Sequence, residues 1–228
     1  MNLQQVTRTE GVGKYKGMTS EEIVSAIARH GVIKNDNGKL IKYLMKEHHW
    51  SPLDMINFGF EVETSRAIGL QWIRHKSINP QEHSQRYSDR VLFENIELRL
   101  EHPTNRQSST EAVGTIFYMD NDFDADTLEW SEFVSEGKEL LETIEAYYRK
   151  GIDKGIAKEC MRMFLPGCTT TTLNFNGTLR SWLAFLNVRL DFHSQKEIRI
   201  LANLVGDALE KELPNVFSNI DWRNGMFM

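Results

Sequence analysis

Cysteine is scarce: the 228 residues include only Cys160 and Cys168. Two thiols cannot form a disulfide framework or, alone, a four-cysteine zinc site. Both read as buried small apolar residues, because no activating partner marks either as a nucleophile. Five prolines are scattered, and no repeat, low-complexity tract or Pro/Gly-rich linker divides the chain, so one domain over 1–228 is expected. No apolar run approaches the ~20 residues that span a bilayer. The first residues lack the apolar stretch of a secretory signal, so a cytoplasmic location is expected. Basic charge is not in excess: Lys+Arg 27 against Asp+Glu 32 gives −5. That balance argues against a nucleic-acid-coating protein and leaves room for a local basic pocket. Also missing are the GxGxxG and P-loop phosphate cradles, the GxSxG elbow and the zinc-deaminase signature. His48, His49, His75, His83 and His193 nowhere show H-x-x-x-H spacing, so no metal site is expected.

The chain has ample apolar material for a core: 40% hydrophobic residues beside 26% charged excludes wholesale disorder. Thr19 and Glu22 form a capping box opening a helix to about His30. After a turn at 34–38, Leu40, Ile41, Leu44 and Met45 recur at helical spacing. Ser51-Pro52 opens a short helical turn with Asp54 inside it. Phe58, Phe60 and Val62 alternate as a strand, after which Thr64 caps a helix carrying Gln71 and Trp72. Pro80 marks 77–85 as loop. Ile96–Leu100 and Thr115–Met119 read as strands, residues 1–16 as a loose segment and 101–114 as a polar surface loop. Helices are expected over 132–150, 154–165, 178–188 and 193–213, with a β-rich 169–175 between them. Strands and helices do not alternate strictly, which gives an α+β class with a central, mostly antiparallel sheet flanked by helices.

Two stretches could carry chemistry. Residues 71–88 hold Arg74, His75, Lys76 and Arg86 against a single Glu82. Guanidinium forks bind phosphate oxygens, Ser84 and Ser88 add hydroxyls, and Gln71, Asn79 and Gln81 add amides able to read a base edge. An anionic, nucleotide-like ligand and a plain solvated loop both satisfy that composition. Further on, Arg180, Arg189, Asp191, His193 and Arg199 punctuate an apolar helical run, where an arginine is equally at home as a snorkelling surface residue. Arg162, four residues before Pro166, is open in the same way.

Together the two stretches resemble the flavin-dependent thymidylate synthase family (ThyX type). The family motif is Arg-His-Arg, seven residues, Ser, then Arg-Tyr-Ser. Here it reads Arg74-His75-Lys76, seven residues, Ser84, Arg86-Tyr87-Ser88, preceded by Gln71-Trp72. Leu165-Pro166 and the late series Arg189, Asp191, His193, Gln195, Glu197-Ile198 match further family elements, and Ser51-Pro52 resembles the family's Thr-Pro turn.

The resemblance implies a homotetramer with active sites shared between subunits, 74–88 of one meeting 162–193 of another. It binds FAD and dUMP and uses NADPH and 5,10-methylenetetrahydrofolate. NADPH reduces the flavin, the folate donates the one-carbon unit, and flavin hydride completes dTMP without a cysteine nucleophile. By position, Gln71, Arg74, Glu82, Ser84, Gln85, Arg86, Arg162 and Arg189 fall where the family binds dUMP. Ser51, Asp54, Arg74, His75, Lys76, Glu82, Thr178, Arg180 and His193 fall at flavin contacts. Arg189 matches the arginine that favours the ionised uracil N3 by Coulomb attraction. Departures are Lys76 in place of arginine, Asn79-Pro80-Gln81 before Glu82, and Ala184 where an amide is usual. A nucleotide-binding protein that retains the pocket without turnover is the alternative they raise. A single-stranded nucleic-acid binder would need an extended basic groove.

Overall fold

The computed structural model describes residues 1–35, 38–118, 124–225 and 228. In chain order it contains β1 (Asn2–Arg8), α1 (Ser20–Ala28), α2 (Lys39–Lys46), a 3-10 turn (Ser51–Met55), β2 (Asn57–Ser65) and α3 (Arg66–Ile73). Then come β3 (Ile78–Glu82), β4 (Ile96–Glu101), β5 (Ser109–Ile116), β6 (Asp124–Ala125), α4 (Leu128–Asp153) and α5 (Lys158–Met161). A 3-10 turn (Arg162–Phe164), β7 (Thr170–Thr178), α6 (Leu179–Arg189), α7 (Lys196–Glu212) and α8 (Pro214–Phe217) complete the α+β order. The strands lie in two sheets instead of one central sheet. One runs β1-β2-β7-β3 and the other β4-β5-β6, the latter antiparallel throughout.

Backbone contacts divide the chain into two compact units. The first comprises Met1, Glu63–Leu70 and Glu82–Thr172, the second Asn2–Val62, Gln71–Gln81 and Leu173–Met228. The boundary therefore falls inside β2, α3, β3 and β7.

The first unit is built on the long helix α4. Val134, Leu141 and Tyr148 recur every seven residues along one face and pack with Val91, Phe93, Ile116 and Met161. Thr127 caps the helix by accepting from the Trp130 amide at 3.3 Å.

The second unit has an aromatic centre. Trp72 is fully buried and stacks on Phe175 and Phe185 with centroids 4.5 and 4.7 Å apart, while Trp182 stands edge-on to Phe60. Trp182 Nε1 donates to the Phe58 carbonyl at 3.0 Å, satisfying a donor that would otherwise be costly to bury. Each such side chain contributes roughly 1.5–3 kcal/mol of apolar burial. The stack also fixes the C-terminal end of α3 against α6, which sets the site described below. At the other end of the unit Gly206 admits Trp222: a Cβ there would lie 1.9 Å from the indole Cζ3.

Several expectations need correction. Neither cysteine is fully buried: Cys160 is exposed and Cys168 half-buried. The N-terminal segment is not loose over its length, because residues 2–8 form β1 at a sheet edge. The chain is then held where Thr9 N donates to Asn57 O and Asn57 N donates to Thr9 Oγ1 at 2.9 and 2.8 Å. Residues 78–82 are strand, not loop; β3 is an edge strand, where Pro80 has no ladder bond to lose. The polar stretch 101–114 contains the turn and most of β5, paired to β4 through irregular register. That pairing ends at Ile96 and Ile116, and Met119 of the expected 115–119 strand lies outside the described residues. The turn expected at 34–38 includes residues 36 and 37, likewise outside them. Thr64 is a buried residue of β2 and caps nothing. The helix expected over 154–165 splits into α5 and a 3-10 turn. The one expected from His193 begins at Lys196, because the Asp191 carboxylate captures the His193 amide at 2.8 Å in a local turn.

Candidate active site

Within the second unit, α6 ends on Arg189 and the chain after α3 brings His75 to it. Arg189 Nε donates to His75 Nε2 at 2.7 Å, and Nη2 donates to the Gln71 carbonyl at 2.9 Å. The Phe185 and His75 rings meet in a T-shaped contact, centroids 5.0 Å apart. Burial, with the Arg189 charge beside it, lowers the His75 pKa to about 4. The ring is therefore neutral at physiological pH, and because Nε2 accepts, its proton sits on Nδ1. Burial, and then the neighbouring Arg74, lower the pKa of Arg189 itself. Of the five N–H bonds of a guanidinium, Nε–H and one on Nη2 are thus used, leaving both on Nη1 and one on Nη2 without a partner among the described residues.

Around this pair, Gln71 Nε2 donates to Gln195 Oε1 at 2.5 Å, joining α3 to the first residue before α7. Asp191 Oδ1 accepts from both the amide and Nδ1 of His193 at 2.8 Å, and these bonds hold the Asp191 carboxyl below its usual range. His193 is exposed. In the turn after α2, Asp54 accepts from Thr178 Oγ1 and from Arg180 Nη1, each at 3.1 Å. Thr178 also caps α6 by accepting from the Ser181 amide at 3.2 Å. Ser51, Arg74 and Lys76 are exposed, and among the described residues neither cation has an acidic partner.

The first unit holds the remaining positions. Glu82 Oε1 accepts from Thr171 Oγ1 at 2.9 Å and pairs with Arg66 Nη1 at 3.3 Å. The same Arg66 nitrogen donates to Gln85 Oε1 at 2.9 Å. Ser84 Oγ accepts from the Arg86 amide at 3.3 Å, and Arg86 Nη2 pairs with Glu159 at 2.9 Å. Arg162 is partly buried, and no ion pair to it occurs among the described residues.

The structure thus joins Gln71, His75 and Arg189 in one network, Asp54, Thr178 and Arg180 in a second, and Glu82 with Gln85 in a third. Arg66 was not singled out by sequence, and no local spacing could pair it with Glu82. Gln195 stood in the late motif without an assigned role; its contact with Gln71 supplies one.

For a flavin dinucleotide, the donor chemistry fits: Arg74 and Lys76, exposed and without an acidic partner among the described residues, suit diphosphate oxygens, and the exposed Ser51 and His193 add polar atoms. No helix among the described residues is long and apolar enough to cross a membrane.

An α+β chain that fixes one partly buried guanidinium and leaves Arg74 and Lys76 without acidic partners among the described residues presents chemistry suited to phosphorylated, nucleotide-like ligands. Residues 9–215 match the family described as thymidylate synthase complementing protein, and the chain belongs to that family. It is 33% identical over 220 residues to the flavin-dependent thymidylate synthase of Synechocystis sp., covering 95% of this chain and 97% of the relative. A probable flavin-dependent thymidylate synthase of Paramecium bursaria Chlorella virus 1 is 33% identical over 212 residues, covering 90% and 92%. The flavin-dependent thymidylate synthase of Wolbachia pipientis wMel is 31% identical over 219 residues, covering 90% and 70%.

Proposed function

We propose that this chain is a flavin-dependent thymidylate synthase. It converts dUMP to dTMP with 5,10-methylenetetrahydrofolate as one-carbon donor and NADPH-reduced FAD as hydride source. The observation that carries the reading is Arg189, held by His75 and the Gln71 carbonyl with its Nη1 edge open. A guanidinium fixed in this way favours the N3 anion of a uracil ring placed against it, raising electron density in the ring without a cysteine. Bound flavin supplies the hydride chemistry. This chain's part is to bind and orient: Arg74, His75, Lys76, Glu82, Ser51, Asp54, Thr178, Arg180 and His193 toward the flavin, and Gln71, Arg74, Glu82, Ser84, Gln85, Arg86 and Arg162 toward dUMP. Glu82 acts by fixing Arg66 and Gln85, and Arg86 reaches the phosphate by exchanging Glu159 for it.

The family match spans both units, which supports reading 1–228 as one functional domain. The same reading gives a homotetramer with sites shared between subunits, in the cytoplasm, measurable as a mass four times that of the chain. The decisive experiment is a visible absorption spectrum with and without added FAD, followed by a dTMP assay. Flavin uptake and dTMP formation only with NADPH and the folate donor together support the function; failure of both overturns it. Binding of dUMP without NADPH oxidation marks a retained pocket without turnover.

A further inference from the structure

Arg189 needs a fixed direction as much as a charge, and the group that fixes its Nε edge is not a carboxylate. Aspartate or glutamate at that point would neutralise the guanidinium and weaken its pull on an anion. His75 accepts the Nε–H at 2.7 Å without bringing negative charge. Its lone pair is available because Nδ1 carries the proton. The imidazole is itself held, in a T-shaped contact with the Phe185 ring and with its residue just beyond the buried Trp72. On the guanidinium's other side the Gln71 carbonyl, also uncharged, takes Nη2 at 2.9 Å. Gln71 is in turn tied through its side chain to Gln195.

We propose that His75 is a positioning residue for Arg189, a neutral acceptor that aims the Nη1 edge at the uracil while leaving the full positive charge there. The inference rests on the reading of Arg189 as a dUMP ligand. It assigns His75 a role separate from any flavin contact. The groups facing His75 are Arg189 and Phe185 from α6, with Arg74 and Lys76 beside it in the chain; no acidic partner of His75 occurs among the described residues. Loss of the acceptor frees the guanidinium to swing toward solvent, which weakens an interaction whose strength depends on alignment.

The test uses the full-length protein loaded with FAD. In the wild type, nitrogen NMR of the labelled side chain is expected to show His75 protonated on Nδ1 alone at pH 7, with a slowly exchanging Arg189 Nε–H. His75→Leu keeps packing against Phe185 and removes the acceptor. It is expected to speed Nε–H exchange and to weaken dUMP binding by about 10- to 100-fold, the scale of one charge-assisted hydrogen bond. His75→Gln, whose amide oxygen stands close to the place of Nε2, is expected to recover dUMP affinity to within about threefold of wild type, the residue of imperfect amide geometry. The proposal is overturned if wild-type His75 is protonated on Nε2, if Nε–H exchange is unchanged by His75→Leu, or if His75→Gln binds dUMP as weakly as His75→Leu. The NMR result needs only the wild type, so a variant that fails to fold leaves the proposal testable. Absence of dUMP binding in the wild type refutes the functional reading, while the NMR arm alone judges the clamp.

Discussion

Arg189→Ala removes one side chain and two contacts, and the structure separates its effects on folding and on turnover. The His75 ring and the Gln71 carbonyl lose their donor. Both are only partly buried, so water replaces part of the loss and each costs about 1 kcal/mol. Together these lower the melting temperature by roughly 4–8 °C for a chain of this size. Turnover falls much further, because a fixed cation aimed at developing negative charge contributes about 2.7–4 kcal/mol, or 10²–10³ in rate. Flavin is expected to remain, since the Asp54, Thr178 and Arg180 network makes no use of Arg189. The His75 pKa rises in this variant, though only part of the way from about 4, because burial is the larger cause and stays. The assays are a thermal melt, a visible spectrum, a dTMP rate and a histidine NMR titration. A near-normal rate refutes the role given to Arg189. Loss of flavin together with turnover would instead make Arg189 a cofactor-retention residue.

Acid stability follows from His75. Its folded pKa, about 4, lies below the unfolded value of 6.5, so its contribution is complete above pH 6.5 and lost as pH falls toward 4. The interval from 6.5 to about 4 converts to roughly 3 kcal/mol, which solvent screening of a partly exposed ring reduces to roughly 1–2 kcal/mol. Urea melts at pH 7 and pH 5 should show a smaller difference in His75→Gln than in the wild type; equal differences would count against the assignment. Lys76→Arg restores a planar fork at an exposed, unpaired position and should preserve or tighten flavin binding, whereas a large loss in a fluorescence titration would mean the side chain points elsewhere. Gly206→Ala places a Cβ 1.9 Å from the Trp222 indole, and the overpacking should destabilise by about 1–3 kcal/mol. An unchanged melting temperature would show that the indole moves freely.

What sequence reveals about this fold depends on whether the determining interaction is local. The Thr19–Glu22 capping box is closed within four residues, and α1 begins where it says. The alternation of Phe58, Phe60 and Val62 needs only the strand's own period, and β2 contains it. By contrast, β1 carries little beyond Leu3 and Val6 to announce it, and β5 begins in a run of Ser, Thr and Glu. Such strands are specified by their partners. Pro80 argues for a loop by every local rule, and only its place at a sheet edge makes strand geometry admissible. The site divides in the same way. Residue types and spacing nominate Arg74, His75 and Arg189, but His75 and Arg189 stand 114 positions apart and nothing local shows that they touch. Arg66 escaped notice because an arginine opening a helix is unremarkable until Glu82 and Gln85 are seen on it.

Cations in this chain fall into two groups by what faces them, and the grouping is itself an argument about ligands. Arg66, Arg86 and Arg180 meet Glu82, Glu159 and Asp54, so each has a carboxylate partner within the chain before any ligand arrives. Arg74 and Lys76 meet no carboxylate among the described residues, and Arg74 disfavours the charge on Arg189. Holding like charges near one another costs free energy that packing alone gives no reason to accept. A phosphate or ionised base placed among them reverses the sign of the interaction, while a carboxylate built into the chain would compete with that ligand. The acceptors chosen for Arg189, a neutral imidazole and a backbone carbonyl, obey the same rule. Both orient the guanidinium and neither neutralises it, which is the condition the proposed role of Arg189 requires: positive charge held ready for an anion formed only during reaction.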